Sequence, residues 1–144
     1  MDKIIVVYWS QTGNTEAMAF AIGKGIEEAG KHAVIAEVSK VSLEELGTAT
    51  SFALGCPAMG AEVLEESEME PFVTQVESFV SGKRVILFGS YGWGEGEWMR
   101  DWEDRMRKAG ADIVMGEGVI TQEAPDDNAI EKCRIAGKML AELA

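Results

Sequence analysis

The sequence predicts an α/β sandwich: a doubly wound, five-stranded parallel sheet with helices on both faces. Strand-like and helix-like segments alternate along the chain without a linker, repeat or low-complexity stretch. The first strand, Ile4-Ile5-Val6-Val7-Tyr8, is a continuous apolar run, as expected where a strand is buried on both faces. Strands separated by helices must return over the sheet in the right-handed sense, which makes the sheet parallel and covers both its faces. The 144 residues suit a single domain, residues 1–144, able to bury about two-thirds of the surface of the unfolded chain.

Strands are expected over residues 3–9, 32–38, 50–56, 84–89 and 112–121. After the first, Met18, Ala21, Ile22, Ile26 and Ala29 recur at helical spacing, and a short helix covers residues 42–46. Phe72, Val73, Val76, Phe79 and Val80 form the apolar face of a third helix. Trp98, Met99, Trp102, Met106 and Ala109 form that of a fourth, in which the two tryptophans, four apart, read as core or half-buried helix residues. A last helix starts near Asp126 and carries Ile130, Cys133, Ala136, Leu140 and Leu143.

Lys and Arg total 13 against 25 Asp and Glu, a formal charge of -12. Such a chain is a poor partner for nucleic acid or an anionic membrane and a good one for basic protein surfaces. Asp2 and Lys3 lead directly into the first strand, so no signal peptide is expected, and no apolar run approaches the ~20 residues of a membrane helix. A cytoplasmic protein follows. Cys56 and Cys133 have no Cys or His at ligand spacing, which argues against a metal or iron-sulfur site and for reduced thiols. His32, the only histidine, opens a strand away from every motif and reads as structural.

Ligands of doubly wound sheets sit beyond the carboxyl ends of the strands at the topological switch point, which directs attention to the loops after strands 1, 3 and 4. The first loop, Ser10-Gln11-Thr12-Gly13-Asn14-Thr15, enters a helix N-terminus, where backbone N–H groups and the helix dipole favour an anion. No Lys or Arg lies between Tyr8 and Lys24, so this is not the lysine-bearing loop of nucleoside triphosphate enzymes. The anion is held by neutral donors: about four backbone N–H groups, the hydroxyls of Ser10, Thr12 and Thr15, and the Asn14 amide. The competing reading makes Thr12 or Asn14 a simple helix cap. The loop after strand 3, from Cys56 to Glu62, offers the flexible thioether of Met59, and the loop after strand 4 sets Trp93 among glycines, as a stacking platform. A flat conjugated ring bearing one phosphate fits all three loops.

At these residues the sequence closely resembles the short-chain flavodoxins of anaerobic bacteria. The resemblance rests on Tyr8-Trp9-Ser10 with Thr12-Gly13-Asn14-Thr15-Glu16, on Leu54-Gly55-Cys56-Pro57-Ala58-Met59-Gly60, on Leu64-Glu65-Glu66-Ser67-Glu68 with Glu70-Pro71-Phe72, and on Leu87-Phe88-Gly89-Ser90-Tyr91-Gly92-Trp93-Gly94. It spans essentially the whole chain. It implies the flavodoxin-like strand order 2-1-3-4-5, known from flavodoxins themselves with FMN at the switch point between strands 1 and 3, and an uninterrupted fifth strand.

The resemblance also implies the site. Ser10, Thr12, Asn14 and Thr15, with the backbone N–H groups of Gln11 and Gly13, would hold the FMN phosphate. Gln11 stands where close relatives have glycine, and is strained only if its φ is positive. Pro57 replaces a serine that touches phosphate in some relatives. Pro57, Ala58, Met59, Gly60, Ala61 and Glu62 would border the ring, with Met59 inside, Trp93 outside and Glu62 accepting from the ring N3–H. Ser90, Tyr91, Gly92 and Gly94 would line the phosphate or ring edge. The Gly60 carbonyl would turn to accept from N5–H on one-electron reduction, a turn that glycine makes sterically cheap.

Glu62, Glu65, Glu66, Glu68 and Glu70 would surround the ring loop. At about 12 Å and an effective dielectric near 40, each opposes a second negative charge on the ring by ~0.7 kcal/mol, so several together lower the second potential by on the order of 100 mV. The implied function is a low-potential one-electron carrier with non-covalent FMN, cycling between semiquinone and hydroquinone and not itself an enzyme. The alternative is an FMN-dependent reductase of quinones or nitro compounds, for which no nicotinamide site stands out. Expected partners are basic redox proteins, such as flavodoxin or ferredoxin reductases and low-potential oxidoreductases, met by a monomer. Contact of Gln122 or Glu123, in the loop after the fifth strand, with the ribityl chain is left open, because that segment departs from relatives.

Overall fold

The computed structural model describes residues 2–60 and 62–144. Strands β1 (Lys3–Tyr8), β2 (His32–Glu37), β3 (Ser51–Gly55), β4 (Arg84–Tyr91), β5 (Asp112–Ile113) and β6 (Val119–Gln122) form one parallel sheet. Its order is β2-β1-β3-β4-β5, with β6 also paired to β4. The helices are α1 (Asn14–Glu28), α2 (Leu43–Thr48), α3 (Met69–Val76), α4 (Glu97–Lys108) and α5 (Asp127–Leu143).

Side chains alternate across the buried strands and feed two cores. Ile5, Val7, Phe52, Leu54 and Leu87 join Trp98, Trp102 and the apolar faces of α2, α3 and α4. Ile4, Val6, Ala53, Ile86 and Phe88 join α1 and α5 on the other face. Side-chain caps start two of the helices: Ser42 Oγ accepts from Glu45 N at 3.3 Å, and Asp126 Oδ1 accepts from Ala129 N at 2.8 Å. No helix among the described residues is long and apolar enough to cross a membrane.

The fifth strand is not uninterrupted. It is two short segments on the same edge of β4, parted by a turn over Val114–Gly116. Met115 and Gly116 both take positive φ, 71° and 78°, which turns the chain out of the sheet before Val119 re-enters it. The Glu103 carboxylate meets the freed backbone, accepting from Gly118 N at 2.6 Å. The third helix ends at Val76, earlier than its apolar pattern predicts, because Phe79 and Val80 reach the core from the following turns. β4 runs two residues past the expected Gly89, carrying Ser90 and Tyr91 to the mouth of the site.

Candidate functional site

β1 delivers the chain to the carboxyl edge of the sheet, and Trp9 N donates to Gly55 O at 3.0 Å, tying the first loop to the end of β3. The residue before α1 is Gly13, at φ 94°, which has no side chain with which to cap the helix. Neither Thr12 nor Asn14 is therefore a helix cap. Ser10 Oγ accepts from Gly13 N at 3.1 Å and from Glu16 N at 3.4 Å. Both acceptor positions of that hydroxyl are used inside the loop, which leaves its O–H free to donate outward. The Gly13 N–H, expected to face an anion, is spent on Ser10. The N–H groups of Gln11, Thr12, Asn14 and Thr15 have no internal acceptor among the described residues. Gln11 is not among the positive-φ residues, so the side chain at that position is unstrained.

These groups open on a cleft of about 170 Å³ lined by Ser10, Gln11, Thr12, Asn14 and Thr15 from the first loop, Pro57, Ala58 and Met59 from the second, and Ser90, Tyr91 and Gly92 from the third. Cys56 N donates to Phe88 O and Ala58 N to Ser90 O, both at 3.0 Å, so β3 and β4 hold the second and third loops in register. Thr15 is 1% exposed. Its hydroxyl accepts from Ser90 N at 3.4 Å and pairs with Ser90 Oγ at 3.2 Å, stitching α1 to β4 across the base of the cleft. Of Gln122 and Glu123, between which the sequence left the ribityl contact open, Glu123 lines the cleft. Its N–H donates to Tyr91 O at 2.8 Å, and its positive φ of 59° turns the chain toward the cleft, a conformation that a glutamate does not advertise.

Beyond the cleft, Met59 and Val63 exchange both backbone hydrogen bonds, at 2.9 and 3.0 Å, and close a tight loop with Gly60 at φ 45° and Glu62 at φ 57°. Ala61 lies outside the described residues. Gly60 has open space where a Cβ would stand. The Glu62 carboxylate lies against Gly94, whose φ is 86° and whose missing side chain makes room for it. Glu62 Oε1 is buried and has no hydrogen-bond partner among the described residues. Trp93 is 64% exposed, and Trp93, Gly60 and Gly94 stand outside the lining of the cleft.

The five glutamates of residues 62–70 do not act alike. Glu65 is buried, and its carboxylate accepts from Ser67 N at 2.8 Å, Glu68 N at 2.7 Å, Met69 N at 3.0 Å and the Ser67 hydroxyl. Burial opposes its ionisation, but these bonds together hold its pKa below the usual value. Glu70 is bound at both oxygens by Arg105, at 2.8 and 2.6 Å, which also lowers its pKa. One charge is thus engaged in starting α3 and another is balanced, so fewer than five free charges face the site. Glu68 accepts from Trp9 Nε1 at 3.2 Å. Burial pushes the Cys56 thiol up to about 12, so it is a protonated, inert group beside the loop.

The family model described as Flavodoxin matches residues 6–137. A flavodoxin of Clostridium beijerinckii is 51% identical over 138 residues, covering 96% of this chain and 99% of that protein. A flavodoxin of Megasphaera elsdenii is 43% identical over 137 residues, covering 95% and 97%. The solution structure of two-electron reduced Megasphaera elsdenii flavodoxin superposes with a TM-score of 0.86 at 41% identity, covering 96% of this chain and 98% of that one.

Proposed function

Because the chain belongs to the flavodoxin family, it is an FMN-binding electron-transfer protein rather than an enzyme, and we propose that it passes electrons singly and at low potential. FMN supplies the redox-active ring when bound. The donor set of the first loop is the observation that carries the reading: four N–H groups without an internal acceptor among the described residues and the Ser10 hydroxyl at a helix N-terminus, with no lysine or arginine in the loop. Such a set suits a phosphate monoester and leaves its charge uncompensated. That residual charge opposes further negative charge on the ring and favours a low second potential.

The orphaned Glu62 Oε1 supports an N–H donor at the ring edge. Exposed Trp93 offers a face for stacking, and Met59 a soft apolar wall. Both bonds of the ring loop run between Met59 and Val63. The Gly60 carbonyl can therefore turn toward the ring and accept a proton-bearing nitrogen without breaking either. The carrier reading is favoured over a quinone or nitro-compound reductase by the family.

We place this carrier in the cytoplasm, where two buried free thiols stay reduced, as a single-domain monomer whose partners are basic redox proteins. The direct test compares FMN with riboflavin, which lacks the phosphate. Hydrogen bonds to a charged acceptor are worth about 1.5–3 kcal/mol each, so riboflavin is expected to bind at least a hundredfold more weakly. Equal affinities would remove the phosphate cradle.

A further inference from the structure

Two residues flanking the first loop, Tyr8 and Glu16, stand outside the lining of the cleft. Their side chains meet. The Tyr8 hydroxyl donates to Glu16 Oε2 at 2.7 Å, the short distance of a hydroxyl bonded to a carboxylate. Tyr8 is 6% exposed, and burial together with the Glu16 carboxylate pushes its phenol up to about 12. The hydroxyl therefore stays protonated, and a donor, at neutral pH.

Each partner is fixed to a different part of the fold. Tyr8 ends β1, where its backbone is paired with Glu37 of β2 and Gly55 of β3, and its ring belongs to the core shared with α1 and α5. Glu16 sits in the first turn of α1, and its N–H donates to Ser10 Oγ at 3.4 Å, alongside that of Gly13 at 3.1 Å. A continuous set of bonds thus runs from the sheet through Tyr8 and Glu16 to Ser10, whose own proton remains to donate. Glu16 makes no ion pair among the described residues, and no Lys or Arg lies between Tyr8 and Lys24. Among those residues, the Tyr8 hydroxyl is the one hydrogen-bond partner of its carboxylate.

Resting on the first loop as the seat of the FMN phosphate, we infer that Tyr8 and Glu16 are positioning residues for that cradle. The Tyr8 hydroxyl holds Glu16, Glu16 holds Ser10, and the donors of the loop are set before the anion arrives. A donor set arranged in advance spares the ordering that binding would otherwise cost. The bond also commits the Glu16 charge to Tyr8. A carboxylate in the first turn of a helix favours the same positive end as a phosphate, so a Glu16 released from Tyr8 is free to compete for it.

Tyr8→Phe keeps the ring and removes only the hydroxyl. It is expected to weaken FMN binding about three- to tenfold while changing that of riboflavin, which lacks the phosphate, by less than about twofold. In a Glu16→Ala background the same change is expected to cost less than about twofold for FMN, because the bond is already gone. In the full chain freed of flavin, the Gly13 and Glu16 amide hydrogens are expected to exchange at least about threefold faster in Tyr8→Phe. Equal losses of FMN and riboflavin, which a role in stability alone would give, overturn the inference. So does an undiminished loss in the Glu16→Ala background, or exchange that Tyr8→Phe leaves unchanged. Riboflavin binding as tight as that of FMN in the unaltered protein strikes the cradle reading instead, and the exchange rates still decide whether Tyr8 fixes the loop.

Discussion

Glu65 is one of five glutamates in nine residues, yet it is 7% exposed and bonded through both oxygens to the backbone of Ser67, Glu68 and Met69 that leads into α3. Its pKa is lowered in the folded protein, so its stabilising contribution is complete above the ordinary value near 4.5 and is lost as pH falls through the lower folded value. Glu65→Gln is accordingly expected to cost about 1–3 kcal/mol at pH 7. The gap should shrink toward pH 3, measured by urea unfolding across that range; a gap independent of pH would contradict the role. Composition displays the five charges but not which one folds back on the backbone, since that depends on a turn with no sequence mark of its own. Ser10 was legible as an anion-site residue from its place before a helix. That its oxygen would take the Gly13 N–H, leaving its proton to face outward, was not.

At the scale of elements, the alternating apolar segments suffice to place every strand and helix in order, because each must bury one face or both. They mislead where backbone conformation rather than burial decides. The fifth strand reads as continuous since Ile113, Val114, Val119 and Ile120 are all apolar, while the break depends on Met115 adopting a left-handed conformation. That conformation costs an L-residue roughly 1–2 kcal/mol, partly offset against glycine's larger loss of chain entropy. Met115→Gly is expected to raise stability by about 0.5–1 kcal/mol, since Met115 is 44% exposed and gives up little packing. Thermal unfolding checks this, and a lower midpoint would mean that the methionine's contacts outweigh its strain. The same limit left Glu123 undecided against Gln122, since it is at Glu123 that φ turns positive beside the cleft.

Across the whole molecule, a formal charge of -12 surrounds a cleft whose first loop offers only neutral donors. Under the proposed function this excess would steer basic partners toward the molecule, an effect screened within about 8 Å at physiological ionic strength. The rate of reduction by a basic reductase is therefore expected to fall several-fold between about 0.05 and 0.3 M salt. A flat or rising rate in stopped-flow measurements would place the recognition in apolar contacts instead. The parallel sheet brings three loops, far apart in sequence, to one edge, and it is this convergence that the apolar pattern made readable. The account's central claim is that these loops hold FMN so that its two electrons pass in separate steps. A spectroelectrochemical titration of the purified, FMN-loaded protein is expected to resolve two one-electron potentials, the second well below the first; a single concerted two-electron transition would contradict it.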